Sequence, residues 1–141
     1  MEGHWIFGMF ERDSKKFRLE ICPDNKRDQI TLLALLEKHV ERGTIIYSDM
    51  WRGYHNIHLH GYFHRTVNHS VNFVDPLTQV HTNSVEANWR PLKNRLQRGG
   101  IGAQGKLSQH LCEYLWMRSH RDDDDIFLSF IKAISRIYNV Q

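Results

Sequence analysis

Cysteine is scarce in this chain: Cys22 and Cys112 are the only two in 141 residues. Two thiols so far apart make neither a disulfide framework nor a metal pair. Reduced, buried thiols in an intracellular protein are the expectation. No apolar run approaches the length needed to cross a bilayer, and the start, MEGHWIFGMFERD, lacks a secretory signal layout. Internal repeats and low-complexity segments are absent, which excludes solenoids and biased linkers. A strong charge of either sign is missing too. Nineteen Lys and Arg stand against sixteen Asp and Glu, a net charge of +3 with ten further histidines counted neutral. That balance permits a polyanionic partner without demanding one. What is present is 40% apolar and 25% charged residues, a globular composition in a length usual for one domain, 1–141.

Residues 5–12, WIFGMFER, are apolar on both alternating faces, which predicts a strand covered on both sides. After a polar turn at 11–16, residues 17–22 alternate Phe17, Leu19 and Ile21 against Arg18, Glu20 and Cys22, a half-buried edge strand. The two make a hairpin. Asp24 or Asp28 then caps a helix over about 27–40, with Ile30, Leu33, Leu36 and Val40 at helical spacing and Leu32 and Leu35 widening the stripe. His39, Arg42 and Gly43 mark its end. Residues 44–49, TIIYSD, predict a buried strand, and a helix followed by a strand after a hairpin argues mixed α/β.

Asp49 ends that strand, where α/β sheets build their sites; the plainer reading is a turn aspartate or a cap for the short WRGYHNI helix. His55, His58, His60, His64 and His69 match no standard zinc spacing and read as surface histidines. FHRTVN (63–68) is a short strand and VDPLTQ (74–79) a turn. The glycine-rich loop 99–105 lacks the Lys and Ser/Thr of a phosphate-binding loop. Helices are expected over 106–118, with Leu107, Leu111, Tyr114 and Leu115 on one face, and over 126–138, with Ile126, Phe130, Ile134 and Ile137 in register. The acidic run 122–125 is a solvated cap for the second.

The chemistry concentrates in HTNSVEANWRPLKNRL, residues 81–96. Glu86 precedes a basic run of Arg90, Lys93, Arg95 and Arg98. On a continuous helix Glu86 and Lys93 lie about two turns apart on one face. A carboxylate that holds a divalent metal would then stand beside a cation that holds a phosphate, a pairing suited to phosphoryl transfer on nucleic acid. A capping box from Asn83 to Glu86 explains the same residues without chemistry. Pro91 either kinks the helix or starts a new one near Arg90, and the second case breaks the two-turn relation.

Taken together, YSDMWRGY, TVNHS, VDP, HTNSVEANWRPLK and LCEYLWMR resemble the DDE transposases of the ISXO-like insertion-sequence group and their eukaryotic Merlin relatives. The resemblance runs in order through nearly the whole chain. It implies an RNase H-like fold, a mixed sheet flanked by helices. It implies Asp49 as the second catalytic aspartate, Glu86 as the final acidic residue and Lys93 as the cation that follows it. Asp49 and Glu86 would hold Mg²⁺ or Mn²⁺, two ions in a complete member, for strand cleavage and strand transfer. DNA at transposon ends would be the partner, touched by Arg52, Arg90, Arg95 and Arg98, with the chain acting as a homo-oligomer and working in the nucleus if the source is eukaryotic. The resemblance also implies that the first aspartate lies in a central strand upstream of WIFGMFER, so that residues 1–141 form a partial domain lacking that strand and inactive alone. A domesticated DNA- or protein-binding module without catalysis is the alternative.

Overall fold

The computed structural model describes residues 3–68, 70, 71, 74–98 and 106–138. The chain divides into two compact units, Met1–Gly102 and Ala103–Gln141.

In the first unit, β1 (Ile6–Phe10) and β2 (Phe17–Ile21) pair antiparallel, from Ile6 opposite Ile21 to Phe10 opposite Phe17. The turn between them closes with the Glu11 N–H on the Lys16 carbonyl at 2.9 Å. Side chains alternate across a strand, so Phe7 and Met9 face one side and Ile6, Gly8 and Phe10 the other. Both sides are covered, as the sequence predicts. Phe7 and Met9 pack into a core with Leu32, Leu35, Leu36, Ile57 and Tyr62. On the other side the Trp89 ring lies against Gly8 and meets Phe17 edge-on, with centroids 5.9 Å apart. Cys22, expected on the exposed face of the second strand, is buried in the core instead: Glu20 lies opposite Phe7, so Cys22, two residues on, shares the Phe7 face of the hairpin, and that face is the one the core covers.

α1 (Gln29–His39) starts at Asp28, whose carboxylate accepts the Thr31 N–H at 2.9 Å. That hydrogen bond holds the Asp28 carboxyl below its ordinary range. The buried stripe is Leu32, Leu35 and Leu36, and Ile30, expected among the core positions, is 82% exposed. The helix begins at Gln29, which leaves Ile30 in the first turn, off the line that the strands cover. At its other end Glu20 of β2 ties down Lys38 and His39, each at 2.7 Å.

β3 (Ile45–Asp49) and β4 (Phe63–Val67) pair in parallel, with Asp49 opposite Val67. The expected short helix between them is two short 3₁₀ turns, Arg52–Tyr54 and Ile57–His60. Gly43 before β3 has φ 87°, a left-handed conformation that glycine adopts without strain, and its N–H reaches the Gly61 carbonyl at 2.7 Å. The fold class is mixed α/β, with its strands in two separate pairs: β1 with β2, and β3 with β4. Among the described residues no strand joins the two pairs.

α2 (Asn83–Arg98) is one unbroken helix of 16 residues, with Pro91 inside it. No fresh start at Arg90 interrupts it, so Glu86 and Lys93 lie about two turns apart on one continuous helix. Leu92, fully buried, anchors the helix. The glycine-rich loop 99–105 and His69 lie outside the described residues.

The second unit holds α3 (Leu107–Ser119) and α4 (Ile126–Tyr138). Leu111 is buried, as its periodicity predicts. Trp116 stacks on His120 with centroids 4.2 Å apart and meets Phe130 edge-on at 5.7 Å. Asp125 caps α4 by accepting the Leu128 N–H at 2.9 Å. The α4 apolar face is in the expected register, yet Phe130 is 47% and Ile137 75% exposed.

Candidate active site

Asp49 is the last residue of β3, and its side chain is exposed. One carboxylate oxygen accepts the Trp51 N–H at 3.1 Å, an Asx turn that leaves the other oxygen facing outward. The turn reading and the site reading of Asp49 are therefore compatible: the same hydrogen bond that shapes the turn fixes the carboxylate.

Behind Asp49 the backbone is held by a polar contact that periodicity alone does not announce. Ser48 points into the core side and is buried. Its hydroxyl donates to the Asp49 carbonyl at 2.7 Å and contacts His64 Nε2 at 2.8 Å. A hydroxyl has one proton; with that proton on the carbonyl, the imidazole N–H donates to Ser48. Burial, and after it His58, lowers the His64 pKa below the ordinary histidine range. His64 is thus no surface histidine, in contrast to His55 and His58, which are exposed. The signal lay in the sequence: a serine on the inward phase of a strand needs a partner, and β4 supplies it.

A cleft of about 240 Å³ opens beside Asp49. The start of β1 lines it with Trp5, Ile6 and Phe7, and the segment after β3 lines it with Trp51 and Tyr54. Cys22, Arg27 and Leu32 complete it. Burial, and next the nearby Asp49 charge, pushes the Tyr54 phenol up to about 12. Burial likewise raises the Cys22 thiol, which suits a packing role better than a nucleophilic one.

Glu86 lies in the first turn of α2, where the helix dipole favours a negative charge. The expected capping box would have placed Asn83 just before the helix. Asn83 is instead the first helical residue, and the Thr82 hydroxyl donates to the Glu86 carboxylate at 2.9 Å. Glu86, Arg90 and Lys93 are exposed and share one helical face. Arg95, two positions beyond Lys93, falls about 200° around the helix and belongs to a different face. Arg98 ends the helix.

Arg12 links the start of this helix to β3. Its guanidinium donates to the His81 carbonyl at 2.7 Å and sits 4.2 Å over the Tyr47 ring. Tyr47 and Asp49 share a face of β3 by the two-residue period. The segment leading into α2 is therefore tied to the face of β3 that bears Asp49. Glu86 and Lys93 do not line the cleft that Asp49 lines. Asp49 and Glu86 offer hard oxygen donors of the kind that suits Mg²⁺. Among the described residues, no group of three or more His, Cys, Asp or Glu side chains is placed to hold a metal. The donors fit such an ion in kind and fall short in number.

These features define a class: a mixed α/β domain with an acidic strand end and, packed on β1, a helix that carries an acid and then bases along one face. The sequence model of the ISXO2-like transposase domain matches residues 3–123, and the chain belongs to that family of DDE transposase domains. No curated protein and no solved structure matches the chain. No helix among the described residues is long and apolar enough to cross a membrane.

Proposed function

We infer that this chain carries part of the catalytic core of a DDE transposase, acting on DNA by divalent-metal-dependent strand cleavage and strand transfer. Asp49 and Glu86 are the metal-holding carboxylates and Lys93 faces a phosphate. The observation that carries this reading is α2, which stays continuous through Pro91 and so keeps Glu86, Arg90 and Lys93 on one face. The Arg12 bridge to Tyr47 and His81 supports it by tying that helix to the Asp49 face of β3. A bound divalent ion would stabilise the oxygen charges that develop at the reacting phosphate. The residues of this chain would do the rest: Lys93 and Arg90 hold the phosphate backbone, and Trp51 and the Ser48–His64 pair keep the Asp49 carboxylate in place.

The fold in this reading is RNase H-like. β1 and β3 each carry a ladder on one side only among the described residues, and a further strand between them would join the two pairs into one sheet. Such a strand would also bring a third carboxylate beside the present pair.

Calorimetry with Mg²⁺ and Mn²⁺ on the 141-residue chain tests the assignment, with Asp49→Ala and Glu86→Ala alongside. Specific binding lost in both variants is expected. Cleavage of transposon-end DNA by the chain, unaffected by Asp49→Ala, would overturn the reading. Salt-sensitive DNA binding that needs no metal, together with metal affinity unchanged in both variants, would favour a non-catalytic binding module instead.

A further inference from the structure

Arg27 belongs to none of the motifs that mark the family resemblance, yet two tryptophan rings hold it. It precedes the Asp28 cap of α1. Its guanidinium carbon lies 3.8 Å from the centroid of the Trp5 ring and 4.5 Å from that of Trp51. Arg52 approaches the same Trp51 ring at 5.8 Å. Two guanidiniums therefore gather around one indole. Both arginines are exposed, and among the described residues no carboxylate pairs with either and no acceptor takes a hydrogen bond from either.

The stereochemistry of this arrangement selects a ligand. A guanidinium carries its five N–H groups in its own plane. Arg27 meets the two rings through its carbon and gives no hydrogen bond to the described residues, so that rim of donors is unspent. The rim matches two oxygens of a phosphate group, with a planarity that an ammonium lacks. Contact with two rings also restricts the side chain, so less of its freedom remains to be lost on binding. Two neighbouring cations without a carboxylate between them repel each other, and an anion placed between them relieves that repulsion. Arg27, Trp51 and Asp49 line one cleft. Arg52 approaches that cleft from outside it, across the Trp51 ring. An anion at the cleft mouth stands beside a carboxylate that would repel it, and a second cation at the rim helps to offset that repulsion.

We propose that Arg27 and Arg52 form a clamp for a single phosphodiester of the DNA strand, with Trp51 as the shared platform and Trp5 as the outer cover of Arg27. The clamp deepens the reading of Asp49 given above and rests on it for the identity of the phosphate, the one that leads the strand toward the reacting bond. Trp5 and Arg27 thereby join the functional residues.

The test is a salt titration of binding to a fluorescent oligonucleotide carrying a transposon end, in chelator so that no metal takes part. Arg27→Gln removes the charge and keeps a planar group against the tryptophans, and Lys16→Gln in the β1–β2 turn is the control. Loss of one phosphate contact lowers the slope of log K against log salt by about 0.9. That loss is expected for Arg27→Gln, and for Arg52→Gln, and for the double variant no more than for either single one, because the two share one phosphate. Lys16→Gln leaves the slope unchanged. Thermal melts confirm that each variant is folded, and Arg52→Gln tests the clamp from its other side if Arg27→Gln is not. An unchanged slope in a folded Arg27→Gln or Arg52→Gln chain overturns the clamp, and so does a double variant that loses twice the single value. Metal binding by the Asp49→Ala chain is read separately. If it persists while the clamp variants behave as stated, the metal-holding role of Asp49 fails and the clamp stands.

Discussion

Gly8→Ala is the substitution through which the fold and the site can be tested together. A Cβ on residue 8 would lie 2.4 Å from Trp89 Cζ2, 3.0 Å from Cη2 and 3.1 Å from Cε2. Ordinary contact begins near 3.4 Å, so the ring and the methyl must separate by about 1 Å. The ring also meets the buried Phe17 edge-on, which restricts the direction in which it can give. Overpacking of this kind costs about 1–3 kcal/mol. For a domain of this size each kcal/mol lowers Tm by about 4 °C. Trp89 stands three residues after Glu86 and four before Lys93 on α2, so a displaced ring also moves the site helix. Thermal melts of Gly8→Ala, Trp89→Leu and the double variant give the coupling directly. The expected outcome is a double variant more stable than the sum of the two losses, by roughly 1 kcal/mol or more. A neutral Gly8→Ala, or strictly additive losses, would refute the close packing of α2 on β1.

Three further outcomes follow from the same structure. Tyr54 has its pKa raised from 10 to about 12, so the stability it lends is fully present below pH 10 and is lost as pH rises toward 12. At about 1.4 kcal/mol per unit this amounts to roughly 2–3 kcal/mol, and alkaline denaturation of Tyr54→Phe should lack that loss. His64 has a lowered pKa, so its contribution is present above the ordinary histidine range and is lost as pH falls through its folded value. Melts of His64→Gln between pH 7 and pH 5 should show a shallower decline than the parent chain. Leu92→Ala empties a fully buried position on α2 and should cost about 2–5 kcal/mol in urea denaturation, with the change seen in the midpoint and not in the slope.

Local patterning determined the elements of this protein. The alternation in FRLEI, the leucine spacing after Asp28, the β-branched run before Asp49 and the periodicity of 126–138 each depend on neighbours a few residues away, and each element formed where those neighbours place it. The motif set from YSDMWRGY to LCEYLWMR likewise sufficed for the family, because it is a matter of residue order alone. Relations between distant residues belong to the tertiary structure. Whether α2 runs through Pro91 turns on burial of Leu92 and on Trp89 finding Gly8, facts that propensity does not contain. Ile30 is exposed and Cys22 buried against expectation because the covering elements, and not the residues' own periodicity, set which positions are buried. Ser48 with His64, and Arg27 between Trp5 and Trp51, are partners brought from separate segments. Short-range preference selects strand or helix, while contact across the chain decides what each side chain meets, and only the second is written in three dimensions.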